Sequence, residues 1–216
     1  MNETIQPSKR RPLRSRDRAW ARWLAGRLAA SGVRPNAISI ASLASAGVAG
    51  AARYYASLLG PRMGAALLLL AALCIQLRLL CNLLDGMVAI EGGRASKSGE
   101  VFNELPDRLA DLAVLVPVGY ATSQVFLGWS AGTLALLTAY VRALGVSAGA
   151  RTDFCGPMAK PQRMAVMTVA ALLAACEHLA GWPERSLVAA LWIIVVGATI
   201  TFLRRTSHVL RELESS

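Results

Sequence analysis

The chain has 216 residues, of which 55% are hydrophobic and only 17% charged, with a formal net charge of +10 and a mean hydropathy of +0.45. A soluble domain of this length rarely carries so few charges, and its core does not require apolar residues to run in long blocks as they do here. The basic residues flank those blocks instead of forming one basic face, which argues against nucleic-acid binding.

In chain order, residues 1–18 come first as a basic tail containing Lys9, Arg10, Arg11, Arg14, Arg16 and Arg18. Its low apolar content predicts a disordered segment or one lying on anionic lipid. No cleavable signal peptide is expected, because the next apolar stretch is interrupted by Arg22 and Arg27. Residues 19–33 read instead as an amphipathic juxtamembrane helix. Trp20, Trp23, Leu24 and Leu28 fall near one helical face, and Arg18, Arg22 and Arg27 are placed to meet lipid head groups.

Pro35-Asn36 then breaks the chain, with Asn36 and Ser39 as helix-start signals. Six apolar blocks follow, at 37–59, 64–84, 105–125, 131–149, 164–181 and 186–203. Each is near the roughly 20 residues that a helix needs to cross a hydrocarbon core of about 30 Å. The expected fold is an all-α membrane protein with six transmembrane helices preceded by the amphipathic interfacial helix. Residues 34–205 form the membrane domain, and 206–216 form a tail. Arg94, Lys97, Arg142, Arg151, Lys160, Arg163, Arg204, Arg205 and Arg211 sit at alternate junctions, while the other junctions are poor in basic residues. The positive-inside rule therefore places both termini and the 90–98 loop in the cytoplasm.

Within the first block, Ala41, Ser42, Ala44, Ser45, Gly47 and Gly50 would let a neighbouring helix approach closely. Arg53 and Arg78 are unusual charges inside spans, either paired within the bundle or reaching for an interface. Cys74, Cys81, Cys155 and Cys176 show no paired metal-ligand spacing, and His178 and His208 lie in different junctions. No chemistry is assigned to these cysteines and histidines.

The second block runs without a break into Asp85, so its helix is expected to continue to about Ile90 and stop at Gly92-Gly93. A short loop then leads to Gly99 and the third span. Asn82 and Asp85 are three residues apart, and Asn103, Asp107 and Asp111 are spaced by four, so each set shares a helical face. Two antiparallel helices facing each other would gather Asn82, Asp85, Asn103 and Asp107 into one oxygen-rich site. Such donors suit Mg²⁺, Mn²⁺ or Ca²⁺ and not zinc. Carboxylates at the edge of a membrane span are costly and therefore suggest function. The small residues Gly86, Ala89 and Gly99 would let a ligand or its phosphates approach the backbone.

This segment resembles the signature of the CDP-alcohol phosphatidyltransferases, Asp-x2-Asp-Gly-x2-Ala-Arg-x8-Gly-x3-Asp-x3-Asp. Asp85, Gly86, Ala89, Gly99 and Asp107 match in register without a gap, while Asn82 and Asn103 replace Asp and Ile90 replaces Arg. Pro35-Asn36 with Ser39 resembles the family's Pro-Asn-x-x-Thr/Ser start of the first span. Tyr140-Val-Arg142 resembles its basic residue at the end of the fourth. The paired Asn82 and Asn103-Glu104 resemble a divergent bacterial branch.

The resemblance implies transfer of a phosphatidyl group from CDP-diacylglycerol to an alcohol, with release of CMP. It implies Mg²⁺ or Mn²⁺ held by Asn82, Asp85, Asn103 and Asp107, with Asp107 taking the proton from the acceptor. Gly86, Ala89 and Gly99 would line the CDP site. Arg142 and Arg151 are candidate contacts to an acceptor phosphate, and Glu104 and Asp111 are candidates to restore the charge lost at the two asparagines. Arg94, Lys97 and Arg108 are candidates to replace the guanidinium missing at Ile90. A homodimer in the bacterial inner membrane, with a cytoplasmic active site, is also implied.

Other readings differ in what they require. A register using Asp107 and Asp111 as the last two carboxylates loses the Gly99 match. An inactive scaffold or lipid-binding subunit would explain the departures. A transporter would place ionisable groups near mid-membrane, whereas these acids lie at one edge.

Overall fold

A computed structural model describes residues 18–92 and 97–215, with 97–100 described by backbone alone. The basic stretch 1–17, Arg94, the side chain of Lys97 and the surroundings of Gly99 lie outside the described residues. Among those described there are seven helices and no strand: α1 (Ala19–Ala30), α2 (Pro35–Ala56), α3 (Pro61–Glu91), α4 (Lys97–Ala121), α5 (Val125–Ser147), α6 (Lys160–Leu179) and α7 (Arg185–Glu214). Prolines stand in the first turns of α2, α3 and α6, where the missing N–H costs no helical hydrogen bond. The second apolar block does continue past the acids, with α3 ending at Glu91 and capped by Gly92. The last block runs further than expected. α7 continues to Glu214, so most of 206–216 is helical.

Six helices close into a ring in the order α2, α3, α6, α7, α5, α4 and back to α2, each packed along the next. Small residues set the closest approaches. A Cβ on Gly50 of α2 would run into the Ala113 carbonyl oxygen of α4. Gly119 and Gly128 bring α4 and α5 so close that a Cβ on either would lie 2.8 Å from the other's Cα. The main core runs through the ring and includes Leu68, Leu115, Met164, Leu187 and Ile194. α1 packs outside it on the end of α3, where Ala21 and Ala25 meet Leu84 and Val88 in a second cluster. Leu24 and Leu28 join this contact. Trp20 and Trp23 are exposed, with the Arg27 guanidinium 4.7 Å above the Trp23 ring. The four apolar residues expected on one face of α1 are thus divided between two surroundings.

α3, α5 and α7 are each long and apolar enough to cross a membrane. α2, α4 and α6 are more polar because they carry side chains buried in the bundle: Ser39, Ser42 and Ser45; Asp107 and Asp111; and Arg163. Large apolar side chains such as Leu73, Phe126 and Trp182 face outward while Arg78, Asp111 and Arg163 are buried, the inverse of a water-soluble surface. The chain is a multi-pass membrane protein.

Candidate active site

One end of the ring collects polar side chains from four helices. The start of α2 supplies Ser39 and Ser42, and the end of α3 supplies Arg78, Asn82 and Asp85. The first half of α4 supplies Asn103, Glu104, Asp107, Arg108 and Asp111, and the start of α6 supplies Lys160 and Arg163. α3 and α4 touch only briefly. Each instead packs along α2, which stands between them. The direct pairing expected from sequence is therefore replaced by a cleft bounded by α2 and α6.

Asp85 is only 3% exposed and held from two sides. Its Oδ2 accepts from Ser39 Oγ at 2.9 Å, and its Oδ1 accepts from the Gly86 N–H at 2.6 Å. One turn earlier, Ser42 Oγ donates to Asn82 Oδ1 at 3.1 Å, while Asn82 Nδ2 is buried without a partner. A hydroxyl can also accept, so the amide can turn over and present its oxygen to the cleft without losing Ser42. Asp107 is buried on α4, with its Oδ2 paired to Lys160 Nζ and lying 3.8 Å from Arg108. Asp85 and Asp107 lie close enough to feel each other's charge, and both feel Lys160. Burial pushes the Lys160 ammonium below the ordinary lysine range, against the pull of Asp107. Asn103 is partly buried one turn before Asp107.

Beneath this pair lies a fully buried ion triad. Asp111 accepts from Arg78 Nη2 at 2.6 Å through Oδ1 and from Arg163 Nη2 at 2.7 Å through Oδ2. Arg78 also donates to the Asp107 carbonyl at 3.2 Å, and Arg163 donates to that of Met158 at 2.9 Å. Both carboxylate oxygens of Asp111 are thus committed to guanidinium groups, whereas sequence suggested it as a source of negative charge for the cleft. Glu104, the other such candidate, accepts from Arg142 at 2.6 Å and lies 3.2 Å from Arg108. Burial alone would raise its carboxyl, but those two arginines outweigh this and hold it below the ordinary range.

Arg142 thus stands at the rim, with its guanidinium 5.6 Å from the centre of the Phe154 ring. Arg151 does not join it. Its side chain is 95% exposed and pairs at 3.7 Å with Glu212 of α7.

Two curated relatives are phosphatidylinositol phosphate synthases. The protein from Streptomyces avermitilis is 32% identical over 147 residues, or 64% of this chain and 60% of the relative. That from Mycolicibacterium smegmatis is 26% identical over 149 residues, or 64% of each. The chain therefore spans somewhat under two thirds of these relatives. Among solved structures, the Mycobacterium tuberculosis phosphatidylinositol phosphate synthase with CDP-DAG bound superposes with a TM-score of 0.70 at 22% identity, covering 91% of this chain and 94% of that one. The same synthase with manganese and citrate gives 0.71 at 20% identity, covering 88% of each chain. No protein-family model matches. The chain is thus similar in sequence to these phosphatidylinositol phosphate synthases over about two thirds of its length, and it shares the fold of the solved one.

Of the signature positions, Asp85, Gly86 and Asp107 are buried at one end of the ring, Ala89 is partly buried, and Ile90 is exposed to 64%. Two residues that shape the cleft were not singled out for it by sequence, Ser42 and Arg78. For both of them a signal was present. Arg78, Asn82 and Asp85 fall at i, i+4 and i+7 on one face of α3, and Ser42 lies one turn after Ser39. Lys160 and Arg163 are brought in by the ring closure of α6 on α3, which local spacing does not encode.

Proposed function

We propose that this chain transfers a phosphatidyl group from CDP-diacylglycerol to an alcohol acceptor and releases CMP. The observation that carries the reading is the meeting of Asp85 and Asp107, from two helices that barely touch, at one end of the ring. The donor set of Asp85, Asp107 and the amide oxygens of Asn82 and Asn103 is all oxygen, which fits Mg²⁺ or Mn²⁺. The Mycobacterium tuberculosis synthase was solved with manganese. Such an ion, when bound, would neutralise charge on the pyrophosphate and on the departing CMP.

The chain's own groups supply the rest. Ser39 and the Gly86 N–H fix the Asp85 carboxylate, and Ser42 fixes Asn82. Asp107 takes the proton from the acceptor hydroxyl, whose oxygen attacks the β-phosphorus as the bond to CMP breaks. Lys160, paired with Asp107, holds that carboxylate in place. Gly86 and Ala89 of α3, with Gly99, would line the CDP moiety. Arg142, at the rim, favours a phosphorylated acceptor, and the names of both curated relatives point to an inositol phosphate. Six spans within 34–205, both termini and the cleft in the cytoplasm, a bacterial inner membrane and a homodimer complete the proposal.

The test uses the full chain in detergent with CDP-diacylglycerol, Mg²⁺ or Mn²⁺, and inositol phosphate, glycerol 3-phosphate or serine as acceptor. CMP release that stops with chelator and falls about 100-fold or more in Asp107→Ala supports the assignment. Turnover of serine alone would overturn the phosphorylated acceptor. No CMP release with any acceptor would leave a lipid-binding subunit, and solute flux in liposomes would make it a transporter.

A further inference from the structure

A second group of ligand-type side chains lies apart from the cleft acids. Asp153 and Cys155 sit in the connection between α5 and α6, and His208 projects from α7. Their donor atoms, a carboxylate oxygen, the thiol sulfur and an imidazole nitrogen, all lie within 4.8 Å of one another. The connection is folded to bring them there. The Cys155 N–H donates to Asp153 Oδ1 at 2.7 Å, closing a tight turn. Arg205 Nε donates to the Cys155 carbonyl at 3.0 Å and its Nη1 donates to that of Thr138 at 2.7 Å, tying the turn to α5 and α7. Asp153 Oδ2 is buried and lies 3.3 Å from His208 Nδ1 without forming a well-aligned hydrogen bond to it. The Cys155 thiol is near enough to the same carboxylate to share its hydrogen with it.

We propose that Asp153, Cys155 and His208 bind a zinc ion that clips the α5–α6 connection to the end of α7. The donor chemistry selects the metal. Thiolate, imidazole and carboxylate together suit zinc, whereas the cleft around Asp85 and Asp107 offers only oxygen and suits a harder ion. Zinc bonds of about 2.0–2.3 Å put neighbouring ligands about 3.3–3.8 Å apart, so the three groups need close by only about 1 Å. The thiolate and carboxylate carry two negative charges against the ion's two positive ones. Binding is therefore not opposed by a net charge left beside Arg205. With three protein ligands, a water completes the tetrahedron.

The experiment is zinc binding by the full chain in detergent, using equimolar zinc and desalting, with cobalt as a spectroscopic substitute. The expected result is one zinc per chain and, with cobalt, a thiolate-to-metal charge-transfer band in the near ultraviolet. Cys155→Ser and His208→Gln should each weaken zinc binding at least tenfold, while Asp85→Asn combined with Asp107→Asn should leave it unchanged. The cobalt band is read on the unaltered chain, so a thiolate ligand is tested even if a variant folds poorly. A chain that retains no zinc, a cobalt complex without the thiolate band, or Cys155→Ser and His208→Gln binding zinc like the parent would overturn the proposal. Loss of zinc from the Asp85→Asn, Asp107→Asn variant would do so too, by placing the ion in the cleft.

Discussion

Asp107 and Asp111 are one helical turn apart on α4, yet their surroundings give them different work. Asp111 is fully buried between two guanidiniums, whereas the partner of Asp107, Lys160, keeps 23% of its side chain exposed. Removing the charge of Asp111 strands Arg78 and Arg163 away from water, a loss of about 3–5 kcal/mol for a buried pair. Asp111→Asn should therefore lower the thermal unfolding temperature in detergent sharply. Asp107→Asn should leave it nearly unchanged and abolish CMP release. Equal stability of the two variants would show that Asp111 is not the structural partner of the arginines. Sequence spacing placed both acids on one face, and only the register of the signature separated Asp107 from Asp111. The difference arises because Arg163 comes from a helix about 50 residues away. A second residue-scale expectation concerns Cys155, whose thiol is pushed up to about 11 by burial and by Asp153. The reactive thiolate thus becomes scarce below that value. In chelator-treated protein, alkylation of Cys155 should be slow at neutral pH and accelerate as pH rises toward 11, measured by mass spectrometry of the labelled peptide.

At the scale of the element, α2 organises the cleft although it carries no acid. It separates α3 from α4, packs along both, and holds Asp85 and Asn82 of α3 through Ser39 and Ser42. Helix positions were legible from apolar blocks and proline starts, because both are local properties. The run of small residues in α2 was also visible, but its partner was not, since close approach is equally available to any neighbour. Gly50 shows the consequence. A Cβ there meets the Ala113 backbone oxygen and lies 3.0 Å from Pro117 Cγ, so α2 and α4 must part to admit one. Gly50→Leu should shift α4 and with it Asp107, lowering both thermal stability and CMP release. Gly47→Leu, whose Cβ meets nothing within 4 Å, is the control and should behave like the parent. Unaltered activity in Gly50→Leu would mean that the α2–α4 contact does not position Asp107.

Across the whole molecule, buried charge sits at both ends of the ring while the cleft chemistry occupies one. At the far end Arg53 of α2 pairs with Glu184 just before α7, and His178 of α6 lies 2.9 Å from the same carboxylate. Sequence left Arg53 either paired or reaching outward. The structure pairs it across 131 residues of chain, and this separation is why no local pattern revealed it. Arg53 Nε and Nη1 are already buried without partners, so its one carboxylate carries the whole compensation. Glu184→Gln should accordingly destabilise the bundle by about 3–5 kcal/mol, the cost of leaving a buried charge uncompensated. The far-end pair makes no contact with the cleft side chains, so folded Glu184→Gln protein should retain the parental rate of CMP release. Replacing both partners with apolar residues, Arg53→Met with Glu184→Leu, removes the stranded charge and should restore most of the lost stability. Thermal unfolding of Arg53→Met, of Glu184→Leu and of the double variant measures that coupling. If the double variant is as unstable as the sum of the singles, the pair is not coupled. If Glu184→Gln loses activity while still folded, the two ends of the ring communicate and the cleft depends on more than the four helices that line it.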